Sequence, residues 1–95
     1  MFIVLLRFAA HKDRAAAHME GHKAWIQRGF DDGVFLMSGS LRTEGGGGVL
    51  AHDTTLDALR RRVAEDPFVT QGVVTADIVE IDPARTDARL GFLAA

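Results

Sequence analysis

The chain opens with a run of apolar residues that predicts a buried strand. Residues 2–8 are branched or aromatic except for Arg7, which is typical of a strand at the centre of a sheet. Three further segments of this kind each begin directly after a glycine: residues 34–41, 49–52 and 73–81. We therefore predict four strands, with a turn at glycines 45–48 between the second strand and the third.

Between the first two strands, apolar residues recur at spacings of three and four, which predicts an amphipathic helix. We predict that its sheet-facing residues are Ala15, His18, Met19, His22, Trp25, Ile26 and Gly29. We predict that its opposite side carries Arg14, Glu20, Lys23 and Gln27. Asp13 is the predicted N-terminal cap, and the helix should end near Gly29 or at the turn signal Asp32-Gly33.

A second helix is predicted before the last strand, with an apolar stripe formed by Leu56, Leu59 and Val63. Thr54 and Thr55 are its candidate caps, and Asp57, three residues after Thr54, resembles the partner residue of a capping box. Asp66 precedes Pro67 and should end the helix, because the residue before proline is disfavoured in helical conformation. Alternatively, Asp66 caps a new short turn with Pro67 at its first position.

The predicted order β-α-β-β-α-β is the ferredoxin-like α+β arrangement, an antiparallel sheet with both helices on one face. We expect the 95 residues to form a single domain, with a core at about residues 1–82 and a C-terminal tail at residues 83–95. The strands leave the other sheet face partly hydrophobic, and a chain this short gains stability from association. We therefore predict a homodimer that buries this face against a second copy.

Composition narrows the class of partner. With 11 basic and 13 acidic residues the net charge is −2, and the one basic cluster, Arg60 to Arg62, spreads around a helix. We therefore expect no nucleic-acid partner. The apolar N-terminus is too short to span a membrane and lacks the features of a signal peptide. Because the chain also has no cysteine, we expect a cytoplasmic protein without a membrane partner.

Two of the four histidines lie four residues apart on the first helix. The spacing of His18 and His22 can place two imidazoles on one metal ion. The sequence offers no cysteine, and no acidic side chain lies one turn away on that face, so we expect no metal site. His22 lies in the middle of the helix face, beside Trp25 and Ile26, and its ring should therefore point toward the sheet.

Asp66 is the candidate partner of His22. In a β-α-β-β-α-β fold the two helices lie side by side, and Asp66 ends the second one. Its carboxylate can orient one ring nitrogen of His22 and leave the other free to move a proton. Two plainer interpretations stay open: His22 as a core histidine bonded to a backbone carbonyl, and Asp66 as a simple cap before Pro67.

Ser38, Gly39 and Ser40 interrupt the second strand. Glycine within a strand often marks a bulge or a close approach of a ligand, so the hydroxyl of Ser38 is a candidate to bind a substrate oxygen. No nucleophile elbow surrounds this serine, which argues against a serine hydrolase. No Gly-Lys-Ser/Thr follows glycines 45–48, which argues against a phosphate-binding loop.

Taken in order, several short motifs resemble the YCII (YciI-like) family over about residues 1–82. They are the opening strand from Phe2, the His22 to Trp25 segment, Gly33, Ser38-Gly39, Asp66-Pro67-Phe68 and Gly72. The resemblance implies a dimeric α+β barrel of ferredoxin-like subunits. It also implies an active site in which His22 and Asp66 form a catalytic dyad with Ser38 beside it. Ser40 departs from the pattern, because many members have proline there, so substrate preference is not carried over.

The resemblance leads to a hypothesis of function. It implies a cofactor-independent lyase or isomerase that moves a proton on a small oxygenated molecule, as in a dehydrochlorinase of the family that acts on a chlorinated hydroxyquinol. We predict that Arg7, Ser38, Trp25 and Phe68 bind the substrate. Two alternatives stay open: a non-catalytic module that binds or senses a small molecule in the same pocket, and a haem-using or oxygen-activating relative.

Overall fold

A computed structural model describes residues 1–94. These residues form four strands and three α-helices: β1 (Phe2–Phe8), α1 (Ala15–Asp31), β2 (Phe35–Ser40), β3 (Gly47–Ala51), α2 (Leu56–Val63), α3 (Pro67–Thr70) and β4 (Val74–Glu80). Short 3-10 segments precede α1 at Lys12–Arg14 and follow β4 at Ala88–Ala94. The predicted β-α-β-β-α-β order is confirmed, with α3 as an added single turn.

The strand order in the sheet is β2-β3-β1-β4, and every neighbouring pair is antiparallel. This is the ferredoxin-like topology that the sequence predicts. Val4 on the central strand pairs with Val49 on β3 and Ile78 on β4. Val49 in turn pairs with Ser38 on β2. Because directly paired residues share a face of the sheet, this row places Ser38 on the same side as Val4.

The core lies between that face of the sheet and the helices. Phe2, Val4 and Leu6 of β1 are buried, whereas the alternating residues between them are half-buried. The indole ring of Trp25 fills the space between α1 and the sheet, and its Nε1–H donates to the Arg62 carbonyl at 2.8 Å. This bond ties α1 to the last turn of α2 and satisfies the one polar atom that the buried indole carries.

The opposite side of the sheet, which we call the outer face, presents an apolar row across all four strands. Ile3 on β1 pairs with Leu50 and Val79, and Leu50 pairs with Met37 at the far edge. Met37 is 53% exposed and Val79 is 44% exposed. No helix of the described chain covers this row, because the core elements pack on the other face. Exposed apolar area of this kind typically marks an interaction surface.

The predicted cap of α1 is wrong, and of the two candidate caps predicted for α2, Thr55 is confirmed. Asp13 lies within the 3-10 segment, and α1 begins after Arg14 without a side-chain cap. The reason is that backbone pairing beside β1 continues to His11, whose N–H donates to the Gly72 carbonyl at 2.9 Å and delays the helix. At α2 the capping box with Thr54 and Asp57 does not form. Thr55 is the cap, and its hydroxyl accepts from the Ala58 N–H at 3.1 Å.

The predicted turn between β2 and β3 is shifted toward the N-terminus. Gly47 and Gly48 belong to β3, and the chain reverses over residues 41–46. Gly45 and Gly46 have φ angles of 76° and 83°, which only glycine adopts readily. A side chain at Gly46 would also overlap the Leu6 carbonyl, so this turn lies directly against β1.

The tail folds back beside the start of β1. Its 3-10 segment is kinked at Leu90, and the Phe92 ring meets the His52 ring edge-on at 5.5 Å. Within residues 1–94, no helix combines the length and apolar character needed to cross a bilayer.

The close approach of α1 to β2 gives a stability prediction. A Cβ at Gly29 would overlap the Phe35 ring, so Gly29→Ala should lower the free energy of unfolding by about 2 kcal/mol. That corresponds to a Tm lower by roughly 10 °C in a thermal melt. Gly21→Ala is the matched control on the same helix, because its Cβ would meet only the edge of the Pro67 ring at 3.0 Å. A Gly29→Ala protein as stable as the wild type would contradict the packing described here.

Candidate active site

Asp66 is positioned by the sequence that follows it. Pro67 occupies the first position of α3, where its missing N–H leaves no hydrogen bond unmade. The carboxylate of Asp66 caps this short helix, and its Oδ1 accepts from the Phe68 N–H at 3.0 Å. The side chain is fully buried, with 0% of its surface exposed. The second of the two alternatives for Asp66, a cap on a new turn, is therefore the one observed.

The same oxygen of Asp66 also contacts His22. The His22 Nδ1 lies 2.9 Å from Asp66 Oδ1, although 44 residues separate the two along the chain. A carboxylate can only accept, so the hydrogen bond requires a proton on Nδ1. In the neutral ring this leaves Nε2 as the acceptor nitrogen. The contact thus fixes both the tautomer and the orientation of the imidazole.

Aromatic stacking holds the ring from the side. The His22 imidazole lies parallel to the Phe68 ring, with centroids 4.0 Å apart and an interplanar angle of 3°. Because Phe68 directly follows Pro67 in α3, the helix that Asp66 caps also supplies this ring. The His22 side chain is 13% exposed, and its Nε2 has no hydrogen-bond partner within residues 1–94. Because Nδ1 contacts Asp66, Nε2 lies on the part of the ring that points away from Asp66.

A cavity of about 350 Å³ adjoins His22. From α1 it is lined by Met19, His22, Lys23 and Ile26. These positions follow the i, i+3, i+4, i+7 spacing of one helical stripe. Lys23, which was predicted on the side of the helix away from the sheet, is exposed and also borders the cavity. Of the predicted sheet-facing residues, Met19, His22 and Ile26 line the cavity, whereas Trp25 and Gly29 are buried in the core.

The other walls come from the sheet and from α3. Ser38, Gly39 and Ser40 of β2 line the cavity, together with residues 46–48 around the start of β3. Phe8 and Phe68 supply aromatic walls. Ser38 reaches the cavity because its register with Val49 turns it toward the helix side of the sheet. The glycines leave one wall without side chains, so a ligand can approach the backbone closely there.

Arg7 and Trp25, two of the predicted substrate-binding residues, do not line the cavity. Arg7 lies on the outer face, where it donates to Glu44 and Asp77 at 2.8 Å each. The hydrogen bond and charge of Glu44 raise the pKa of the Arg7 guanidinium. Strand alternation is the reason for this placement, because Leu6 and Phe8 take the cavity side. Trp25 belongs to the core. Neither residue is retained as a substrate-binding candidate.

One polar atom in the site is left without a partner. Asp66 Oδ2 is buried and makes no hydrogen bond within residues 1–94. The carboxylate thus receives donors on one oxygen only, from His22 and Phe68. Across the same residues, no three His, Asp or Glu side chains lie close enough to share a metal ion.

The fold and the site define a ferredoxin-like α+β protein with a histidine–aspartate pair beside a cavity of small-molecule size. The chain belongs to the YCII-related domain family, whose model matches residues 1–82. No curated protein matches the chain.

Among solved structures, the fold is similar to that of a dehydrochlorinase. This is the 5-chloro-2-hydroxyhydroquinone dehydrochlorinase TftG from Burkholderia phenoliruptrix AC1100, in complex with 2,5-dihydroxybenzoquinone. The TM-score is 0.68, and the similarity covers 85% of this chain and 93% of that one. Sequence identity is 13%, so the comparison shows a common fold.

The double role of Asp66 gives a prediction on stability. Asp66→Ala removes both the cap of α3 and the acceptor for His22, and should lower the free energy of unfolding by about 2–3 kcal/mol. Asp66→Asn keeps an oxygen that accepts from the Phe68 N–H, so it should lose less than half of that amount. Urea unfolding measures both values. Asp57→Ala, at an exposed position of α2, is the control and should change stability by less than about 0.5 kcal/mol. Equal stability of Asp66→Ala and the wild type would contradict this account.

Proposed function

We propose that the protein is a cofactor-independent lyase or isomerase that moves a proton on a small, planar, oxygenated molecule. His22 is the general acid and base, Asp66 positions its ring, and Ser38 binds a substrate oxygen. The observation that carries the proposal is the 2.9 Å contact between His22 Nδ1 and Asp66 Oδ1 beside the cavity. This contact leaves Nε2 as the basic nitrogen and supports the cation that forms when Nε2 accepts a proton.

The chemistry follows from this arrangement. Nε2 takes a proton from a substrate carbon or oxygen, and Asp66 stabilises the resulting imidazolium. In a lyase reaction the electron pair of the broken C–H bond forms a double bond, and a leaving group departs with its own bonding pair. The imidazolium then gives its proton to that leaving group or to water. In an isomerase reaction the imidazolium returns the proton to a different substrate atom. Both sequences balance in protons and electrons without a cofactor.

The walls of the cavity support a flat substrate. Phe68 and Phe8 supply aromatic surface, and residues 46–48 form a wall of glycine backbone. The volume of about 350 Å³ lies at the small end of the range for ligand pockets. The similar solved structure holds 2,5-dihydroxybenzoquinone, a ring compound that would fit a site of this size. We therefore propose an oxygenated aromatic or quinone-like ring as the substrate class.

A proton-exchange experiment tests the function. The wild type should accelerate exchange of the ring hydrogens of 2,5-dihydroxybenzoquinone in D2O. The exchange is measured as the loss of their proton NMR signal. His22→Asn should lower this rate by roughly 100-fold or more, because general acid–base catalysis contributes that much. His18→Asn is the matched control, since His18 lies one turn earlier on α1 and does not line the cavity. Unchanged exchange in His22→Asn would contradict the proposal. Binding of the compound without exchange by the wild type would favour the non-catalytic binding module.

We also propose that two copies pair through the outer face. The apolar row from Met37 through Ile3 to Val79 is long enough to cross the whole sheet and is not covered by the chain itself. Burying it in a second copy removes this area from water. The proposal makes the protein a dimeric α+β barrel, with one cavity on the helix side of each sheet.

Light scattering coupled to size-exclusion chromatography tests the pairing. At micromolar concentration the wild type should elute with twice the chain mass. Val79→Asp should elute as a monomer, because a charge within the buried face would lose its hydration. Ala24→Glu, which adds a negative charge at an exposed position of α1, should leave the dimer intact. A monomeric wild type would refute the pairing.

A further inference from the structure

The cavity stripe of α1 carries a charged residue next to His22. Lys23 follows His22 in the chain and lies three and four residues from Ile26 and Met19, the other members of the stripe. The long side chain of lysine lets its ammonium group remain hydrated while its stem covers apolar wall. Lys23 therefore borders the space into which a ligand held by His22 would extend.

This lysine is the one permanent charge on the cavity wall. None of the residues that line the cavity within residues 1–94 is acidic, and His22 is the one other titratable group among them. Lys23 forms no ion pair in the described part of the chain. Several arginines, by contrast, are paired with carboxylates, such as Arg7 with Glu44 and Arg62 with Asp32. The cavity thus keeps a positive charge that no neighbouring carboxylate neutralises.

The remaining lining is apolar or consists of serine and glycine. Phe8 and Phe68 exclude water from part of the space, and a charge interaction is stronger beside such walls than in open solvent. Ser38 and Ser40 add hydroxyl donors on the opposite side. A neutral apolar ligand would form no hydrogen bonds with these donors. A ring that bears an ionised oxygen could accept from the lysine and the serines together.

We propose that Lys23 determines specificity for an anionic substrate: its ammonium group binds an ionised oxygen of the ring compound whose proton His22 moves. The ionised oxygen is a carboxylate or a ring oxyanion. Only the role of His22 in this inference rests on the proposed function. Anion binding at Lys23 can be measured without turnover. Loss of a proton from a carbon beside a ring oxygen would also place negative charge on that oxygen, and a cation there stabilises it.

The experiment compares ligands of matched shape and different charge. Benzoate is paired with benzamide to test carboxylate binding. 2,5-Dihydroxybenzoquinone, whose hydroxyl groups are ionised at neutral pH, is paired with 2,5-dimethoxybenzoquinone to test ring oxyanions. Dissociation constants are measured by NMR titration of the wild type and of the Lys23→Met, Lys23→Arg and Arg28→Met variants. Arg28 is the matched control, because it is exposed on α1 and does not line the cavity.

In at least one pair, the wild type should bind the anion roughly fivefold more tightly than its neutral partner, the upper range for an exposed charge pair. Lys23→Met should lose this preference and leave the affinity for the neutral compound unchanged, while Lys23→Arg and Arg28→Met keep the preference. The preference should also shrink at high salt. The pair that shows the effect identifies the type of anion.

Three outcomes would overturn the inference: equal affinity for anion and neutral partner in both pairs, a preference that survives in Lys23→Met, or no binding of any of the four compounds. Circular dichroism checks that each variant is folded. An anion preference that depends on Lys23, in a wild type that catalyses no proton exchange, would refute the proposed reaction and leave this inference standing. Proton exchange by a wild type that shows no preference for anions would refute this inference and leave the proposed reaction standing.

Discussion

One carboxylate oxygen, Asp66 Oδ1, holds together the parts of the chain that build the cavity. It accepts from the Phe68 N–H and from the ring of His22, so the start of α3 and the middle of α1 are fixed to each other at a single atom. The stacked Phe68 ring follows from the same contact, because the cap sets the direction in which α3 leaves Asp66. Complete burial makes the interaction strong, since no water competes for that oxygen.

The two faces of the sheet serve different purposes, and strand alternation separates them. Residues such as Leu6 and Ser38 face the helices and the cavity, whereas Ile3 and Arg7 on the central strand face outward. The outer face combines an apolar row with the ion pairs of Arg7 to Glu44 and Asp77. Glu44 lies in the turn before β3, so this network also braces the segment that leads into the glycine wall of the cavity.

The chain belongs to the YCII-related domain family and shares its fold with a dehydrochlorinase. The residues of the cavity make the proposal more specific. A histidine with a fixed tautomer, an unpaired lysine beside it and two serines opposite are together suited to proton transfer on an anionic ring. The glycine wall and Ser40 also line this cavity and bear on which ring it accepts.

The sequence by itself determined the order of strands and helices, the ferredoxin-like class and the candidates His22, Asp66, Ser38 and Phe68. The elements could be predicted because strand and helix periodicities, glycine turns and the Asp-Pro stop act over a few neighbouring residues. The resemblance to the family joined His22, Asp66 and Ser38 into one site and pointed to Phe68. Tertiary structure decided which side chains line the cavity, because that depends on how each helix and strand is rotated about its own axis. The rotation of α1 against the sheet brought Lys23 to the cavity and left Trp25 in the core. Strand register placed Arg7 on the outer face, because shifting a strand by one residue exchanges its two sides.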